Sequence, residues 1–161
     1  MLKKYRLEGC KKISTLMATS AKLDVDEAGK AIDQKTYRDM IGSLLYLTIS
    51  RPDIQFSVYL CVRFQANLKE SHLIVVKRIF KYFSEMINIG LWYLRDCEFT
   101  LHVFSDADYV GCKLDRKSTS GTYEILVRCI ISWSSRKQGT ITLSTAEVEH
   151  VAAESCYSQV L

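Results

Sequence analysis

The sequence predicts a mixed α/β chain of the α+β kind: an N-terminal helical region, then an antiparallel sheet, then one helix packed on that sheet. Three observations carry this. Between residues 36 and 87 apolar side chains recur every three or four positions, as in helices with one buried face. After Gly90 the period drops to two, and Phe99, Leu101 and Val103 alternate with polar neighbours as in a half-buried strand. From Ser144 onward the helical period returns.

The totals fit this frame. A chain of 161 residues makes one domain, or one domain plus part of another. With 48% hydrophobic and 25% charged residues it can bury a core, which excludes disorder by composition. A net charge of +4 is compatible with a polyanionic partner. The 6 cysteines are scattered, without a CxxC pair or a histidine at zinc spacing, so they read as reduced thiols, several of them core residues. The opening "MLKKYRLEGCKK" has no apolar leader core and no run approaches a membrane span, so a soluble intracellular protein is expected, with no membrane partner.

The elements follow in order. Residues 1–35 are polar and read as a linker-like segment, "LDVDEAGKAID" being solvated. Residues 36–90 form a helical region. Tyr37, Met40, Ile41, Leu44, Leu45 and Thr48 share one helix face, with Asp33 as the cap upstream. In "SRPD" Ser50 can cap a second helix over 53–65, since Pro52 is tolerated only in a first turn. A third helix over 71–87 puts Leu73, Val76, Phe80, Phe83 and Ile87 on one face and Lys77, Arg78 and Lys81 on another. Residues 91–161 form the sheet region. "GLWYL" and "FTLHVF" flank "RDCE" as a hairpin, and strands at 121–128 and 129–137 continue an antiparallel meander. Ser144 and Glu147 have capping-box spacing at the start of the last helix.

Two carboxylates stand out. The strand at 99–104 runs into "SDAD", which places Asp106 at its end, where aspartate serves either a turn or a metal. On the last helix Ala146, Glu149, Ala153, Cys156 and Val160 step by three and four, so Glu149 is expected inside an apolar stripe facing the sheet. Buried there, it needs a partner; at the stripe's edge it would reach water. A strand-end aspartate and a helix glutamate packed over that strand would repel each other unless a cation such as Mg²⁺ lay between them.

The runs "YRDMIGSLLYLTISRPDIQFSV", "VVKRIFKYF", "GLWY", "SDADYVGCKLDRKSTSG", "SWSSRKQ" and "LSTAEVEHVAA" resemble, in order and spacing, copia-type retrotransposon Pol polyproteins, especially plant ones. The resemblance covers nearly the whole chain. It implies the C-terminal region of a reverse transcriptase followed by the first part of a ribonuclease H domain, a truncated ribonuclease H-like sheet with one helix. It implies Asp106 and Glu149 as catalytic metal ligands, Mg²⁺ as cofactor without a small-molecule cofactor, and hydrolysis of RNA in RNA–DNA hybrids. The family's remaining metal ligands would follow Leu161, so activity of these residues alone is expected to be weak or absent. Asp108 belongs to the family motif without matching a metal ligand. Partners implied are an RNA–DNA hybrid and the rest of the polyprotein, in cytoplasm, virus-like particle or nucleus. A non-catalytic module would hold nucleic acid through Lys77, Arg78, Lys81, Arg116, Lys117, Arg136 and Lys137; a decayed relic would do neither. Lys12, Leu16, "SEM" at 84–86, Arg128 and His150 depart from the family pattern.

Overall fold

A computed structural model describes residues 2–11, 13–17, 23, 25–95, 99–112 and 115–160. The chain divides into two compact units, Met1–Gly90 and Leu91–Leu161.

In the first unit, helices α1 (Gln34–Leu47), α2 (Pro52–Val62) and α3 (Glu70–Glu85) pack around one core. Tyr37, Met40, Ile41 and Leu44 of α1 meet Ile54, Val58 and Cys61 of α2 and Val76, Ile79 and Phe80 of α3. Asp33 caps α1 as its position predicts, accepting from Lys35 N (3.2 Å) and Thr36 N (3.0 Å). Ser50 does not cap α2. Its hydroxyl turns back to the Leu47 carbonyl at 3.4 Å, and Arg51 takes the cap position with extended φ −131°. The cause is Pro52, which bars a helical conformation at the residue before it and so leaves Ser50 one position too far from the first turn.

The buried face of α3 differs from the expected one. His72, Val75, Val76, Ile79 and Phe80 are buried, whereas Ile87 lies past the helix end and is exposed. His72 can enter the core because its ring stacks on Phe64 with 4.5 Å between centroids and its Nδ1 accepts from Lys69 N. Nor is the 1–35 segment a solvated linker throughout. Leu7 is buried in the helical core, and Tyr5 donates toward Asp39 at 3.0 Å with its ring 5.2 Å from Phe80. Within "LDVDEAGKAID", Asp26 accepts from Ser71 at 2.6 Å, and Lys30 O accepts from Glu70 N at 2.9 Å. Sparse hydrophobicity hid this docking, since polar side chains and backbone supply much of it.

In the second unit, strands β1 (Leu101–Asp108), β2 (Thr119–Leu126) and β3 (Cys129–Lys137) form an antiparallel meander in the order β1-β2-β3. Helix α4 (Thr145–Val160) packs on β1 and β2. The expected strand at "GLWYL" is not formed: residues 91–94 are irregular, and the Leu94 N–H meets Cys129 Sγ at 3.5 Å. Of the "RDCE" turn, residues 96–98 lie outside the described residues. Trp92 and Phe99 stay 80% and 87% exposed, so alternation there did not correspond to a buried face. At the start of α4, Ser144 Oγ accepts from Glu147 N as expected, while the Glu147 carboxylate reaches back to Leu143 N at 2.8 Å, one residue before the cap.

The face that α4 buries is Val148, Ala152 and Cys156. Ala146, Glu149, Ala153 and Val160 are exposed, which corrects the expected stripe. Both sets are spaced by three or four residues and share Cys156, but the buried one carries no charge, whereas the expected one would take the Glu149 carboxylate out of water.

Candidate functional site

Asp106 sits two residues from the end of β1, opposite Gly121 of β2 and, through it, Ser135 of β3. Its neighbours Ser105 and Ala107 pair with Thr122 and Ser120. Those two β2 side chains reach the α4 side: Thr122 Oγ1 meets Gln159 Oε1 at 3.3 Å, and Gln138 Nε2 donates to both Ser120 Oγ (2.9 Å) and Val148 O (3.0 Å). Because side chains alternate along a strand, Asp106 projects from the face opposite α4. It shares that face with Phe104, whose ring stacks on Tyr123 at 4.8 Å and 9°. The two carboxylates therefore do not face each other across one side of the sheet, as the expected stripe required. Asp106 is exposed, and its Oδ1 accepts from the adjacent Ala107 N at 2.9 Å.

Glu149 is exposed as well, on a flank of α4 that two contacts identify. Cys156 Sγ leans on Phe104 O of β1 at 3.8 Å, whereas Gln159 leans on Thr122 of β2. Glu149 precedes Cys156 by seven residues, nearly two full turns, so it lies on the β1 flank. In the order β1-β2-β3, β1 is an edge strand, so this flank overhangs a sheet edge without a strand partner among the described residues.

The level along the strand follows from two anchors. Tyr109 Oη donates to Leu143 O at 3.2 Å, and Cys156 lies by Phe104, so α4 runs back along β1. From Cys156 back to Glu149 is about 10 Å of helix rise, and from Phe104 on to Asp106 is about 7 Å of strand. The two carboxylates thus stand at similar heights, one below the edge of β1 and one above it. Among the described residues no group of three or more His, Cys, Asp or Glu side chains is placed to hold a metal ion.

The seven basic residues fall into two sets, Lys77, Arg78 and Lys81 on α3 and Arg116, Lys117, Arg136 and Lys137 in the sheet unit. Several are engaged within the fold. Arg78 Nη2 donates to Thr15 Oγ1 at 2.6 Å, Lys117 Nζ donates to Gly139 O, and Lys137 Nζ pairs with Asp115 at 2.5 Å. Lys77, Arg116 and Arg136 are exposed, and Lys81 is half-buried. Gln138 was not marked out by the sequence, yet it ties the sheet to α4; its place at the end of "SWSSRKQ", just past β3, is the signal that could have found it.

Among the described residues no helix is long and apolar enough to cross a membrane. No family model matches the chain, and no solved structure matches it. Curated relatives do. The retrovirus-related Pol polyprotein from transposon RE1 of Arabidopsis thaliana is 35% identical over 99% of this chain, the match taking 11% of the relative. The corresponding protein from transposon RE2 of the same plant is 31% identical over 99% of the chain and 11% of the relative. That from transposon TNT 1-94 of Nicotiana tabacum is 30% identical over 95% of the chain and 12% of the relative. The chain spans about a tenth of the length of these relatives. Sustained identity with these polyproteins over nearly its whole length makes the chain a member of the Pol polyproteins of copia-type retrotransposons.

Proposed function

We propose that this chain is the stretch of a Pol polyprotein that joins the C-terminal helical region of a reverse transcriptase to the first part of a ribonuclease H-like domain. The proposed chemistry is metal-dependent hydrolysis of the RNA strand of an RNA–DNA hybrid. The observation that carries the reading is that Asp106 and Glu149 stand at a similar level along β1, an edge strand among the described residues, though on opposite faces of the sheet. Both are exposed carboxylates, the hard oxygen donors that Mg²⁺ takes while keeping several waters. When bound, such an ion would lower the pKa of a water and stabilise the leaving oxygen of a phosphodiester. Asp106 and Glu149 are the residues that would hold it, and Tyr109 on Leu143 O and Cys156 on Phe104 O tie together the helix and the strand that carry them. Two carboxylates cannot fix the spacing of two ions, so the 161 residues alone are expected to cleave weakly or not at all.

A second reading, a module that binds nucleic acid without cutting it, draws on charge. Residues 1–90 hold fifteen Lys and Arg against nine Asp and Glu, while residues 91–161 hold seven against nine. The basic excess that would attract phosphates is thus confined to the helical unit.

A hybrid-cleavage assay with Mg²⁺ and with chelator tests the proposal on the chain alone and joined to downstream Pol sequence. Chelator-sensitive cleavage by the extended chain, abolished by Asp106→Asn or Glu149→Gln, is the expected result. Cleavage that survives both substitutions would overturn it. Hybrid binding that falls steeply with salt, without cleavage by either chain, would favour the module.

A further inference from the structure

We infer that the two aspartates of "SDAD" have divided duties: Asp106 is left open for a ligand, while Asp108 is a positioning residue that clasps the end of β1 to the start of β2. Asp108 is the last residue of β1 and stands opposite Thr119, the first of β2. Its Oδ1 accepts from the Thr119 backbone N–H. Thr119 is only 5% exposed, so water has little access to it and the carboxylate serves as its acceptor. The rest of the connection is built around this clasp. Val110 N donates to Ser118 Oγ at 3.1 Å, and Cys112 N donates to Lys117 O at 3.2 Å, which draws the two sides of the loop together. A methyl group at Gly111 would overlap the Asp108 carboxylate, so the glycine three residues on is what leaves the carboxylate room.

The spacing Asp106-x-Asp108-x-x-Gly111 therefore encodes one exposed carboxylate bonded to its own neighbour Ala107, one committed across to β2 and the gap that admits it. A strand end otherwise frays, and Asp106 is two residues from it. Holding Asp108 to Thr119 fixes the backbone on which Asp106 stands. The part of this inference that concerns a metal rests on the reading of Asp106 given above; the clasp itself does not.

The test uses the whole chain with Mn²⁺ alone as the probe, read by electron paramagnetic resonance, together with amide exchange at Thr119. Asp108→Asn keeps an oxygen acceptor, so Thr119 exchange is expected to remain slow and Mn²⁺ affinity to stay within about two-fold. Asp108→Ala and Gly111→Ala are expected to speed Thr119 exchange at least ten-fold and to weaken Mn²⁺ several-fold. Asp106→Asn is expected to lose Mn²⁺ with Thr119 exchange unchanged. If Asp108→Asn loses Mn²⁺ as completely as Asp106→Asn, Asp108 is a ligand and the division of duties fails. Unchanged Thr119 exchange in both alanine variants overturns the clasp. Absence of Mn²⁺ binding by the unaltered chain counts against the metal reading alone, because the exchange measurements still decide the clasp.

Discussion

Arg51 grips Asp53 with both arms of its guanidinium, Nη2 to Oδ2 at 2.6 Å and Nε to Oδ1 at 2.8 Å, and its Nη1 continues to the Met86 carbonyl at 3.0 Å. One side chain thus joins the first turn of α2 to the residue that ends α3. The Arg51 side chain is 7% exposed and that of Asp53 33%. Removing Arg51 leaves a half-buried carboxylate and a carbonyl without this donor. Arg51→Ala is expected to cost about 2–3 kcal/mol, below the range for a fully buried pair. Arg51→Lys should recover little, because an ammonium cannot match the two-pronged geometry. Urea unfolding followed by far-UV circular dichroism measures both.

The same pair sets an acid response. Burial pushes the Asp53 carboxyl up, but the hydrogen bonds and charge of Arg51 and the Tyr82 hydroxyl outweigh it and hold it below the usual carboxylate value. A folded-state value below the unfolded one means stability that is present above about pH 4 and lost as pH falls through the folded value. The loss should shrink in Arg51→Ala, and urea midpoints between pH 5 and pH 2 will show whether it does.

In the sheet unit, hydrogen bonding from Lys137 pulls the Asp115 carboxyl down to about 2. Its contribution is likewise present above about pH 4 and lost on acidification toward pH 2. Lys137→Ala should raise Asp115 toward the ordinary carboxylate range, with the hydrogen bonds from the Cys112 side chain and the Lys117 N–H still holding it down in part. A titration of side-chain carboxyl resonances reads this directly.

Val127 begins the two-residue link between β2 and β3 with φ 63°, a left-handed conformation that a β-branched side chain resists. Its N–H still donates to Thr100 O at 2.8 Å, which glycine would preserve. Val127→Gly is expected to stabilise the sheet unit by about 1 kcal/mol. Both tryptophans, Trp92 and Trp133, lie in that unit, so their fluorescence reports its unfolding separately.

The buried face of α4 can be checked by a matched pair. Ala152 is fully buried against the sheet, and its neighbour Ala153 is exposed. Ala152→Leu should destabilise by about 1–3 kcal/mol through overpacking, whereas Ala153→Leu should stay within about 0.5 kcal/mol. Equal effects would mean that the helix is turned otherwise than Val148, Ala152 and Cys156 indicate. Tryptophan fluorescence during urea unfolding serves here too.

What the sequence determined by itself is what depends on near neighbours along the chain. Helix spacing from Tyr37 to Leu44, the Asp33 cap, the strand at 129–137 and the Ser144 cap were all legible, because each rests on residues within about four positions. The order of helices, meander and closing helix followed from the same local signals. Tertiary structure alone decided the rest. Whether Glu149 or Val148 turns toward the sheet depends on which of two equally spaced stripes gains more from burial, and that is settled by the surface it meets. Asp106 and Asp108 are alike in sequence and share a strand face, yet one is open and the other committed, because only Asp108 stands beside the N–H of Thr119, eleven residues away across the meander. The level match between Asp106 and Glu149 is of the same kind: it arises from how α4 lies along β1, a long-range packing that no local period encodes.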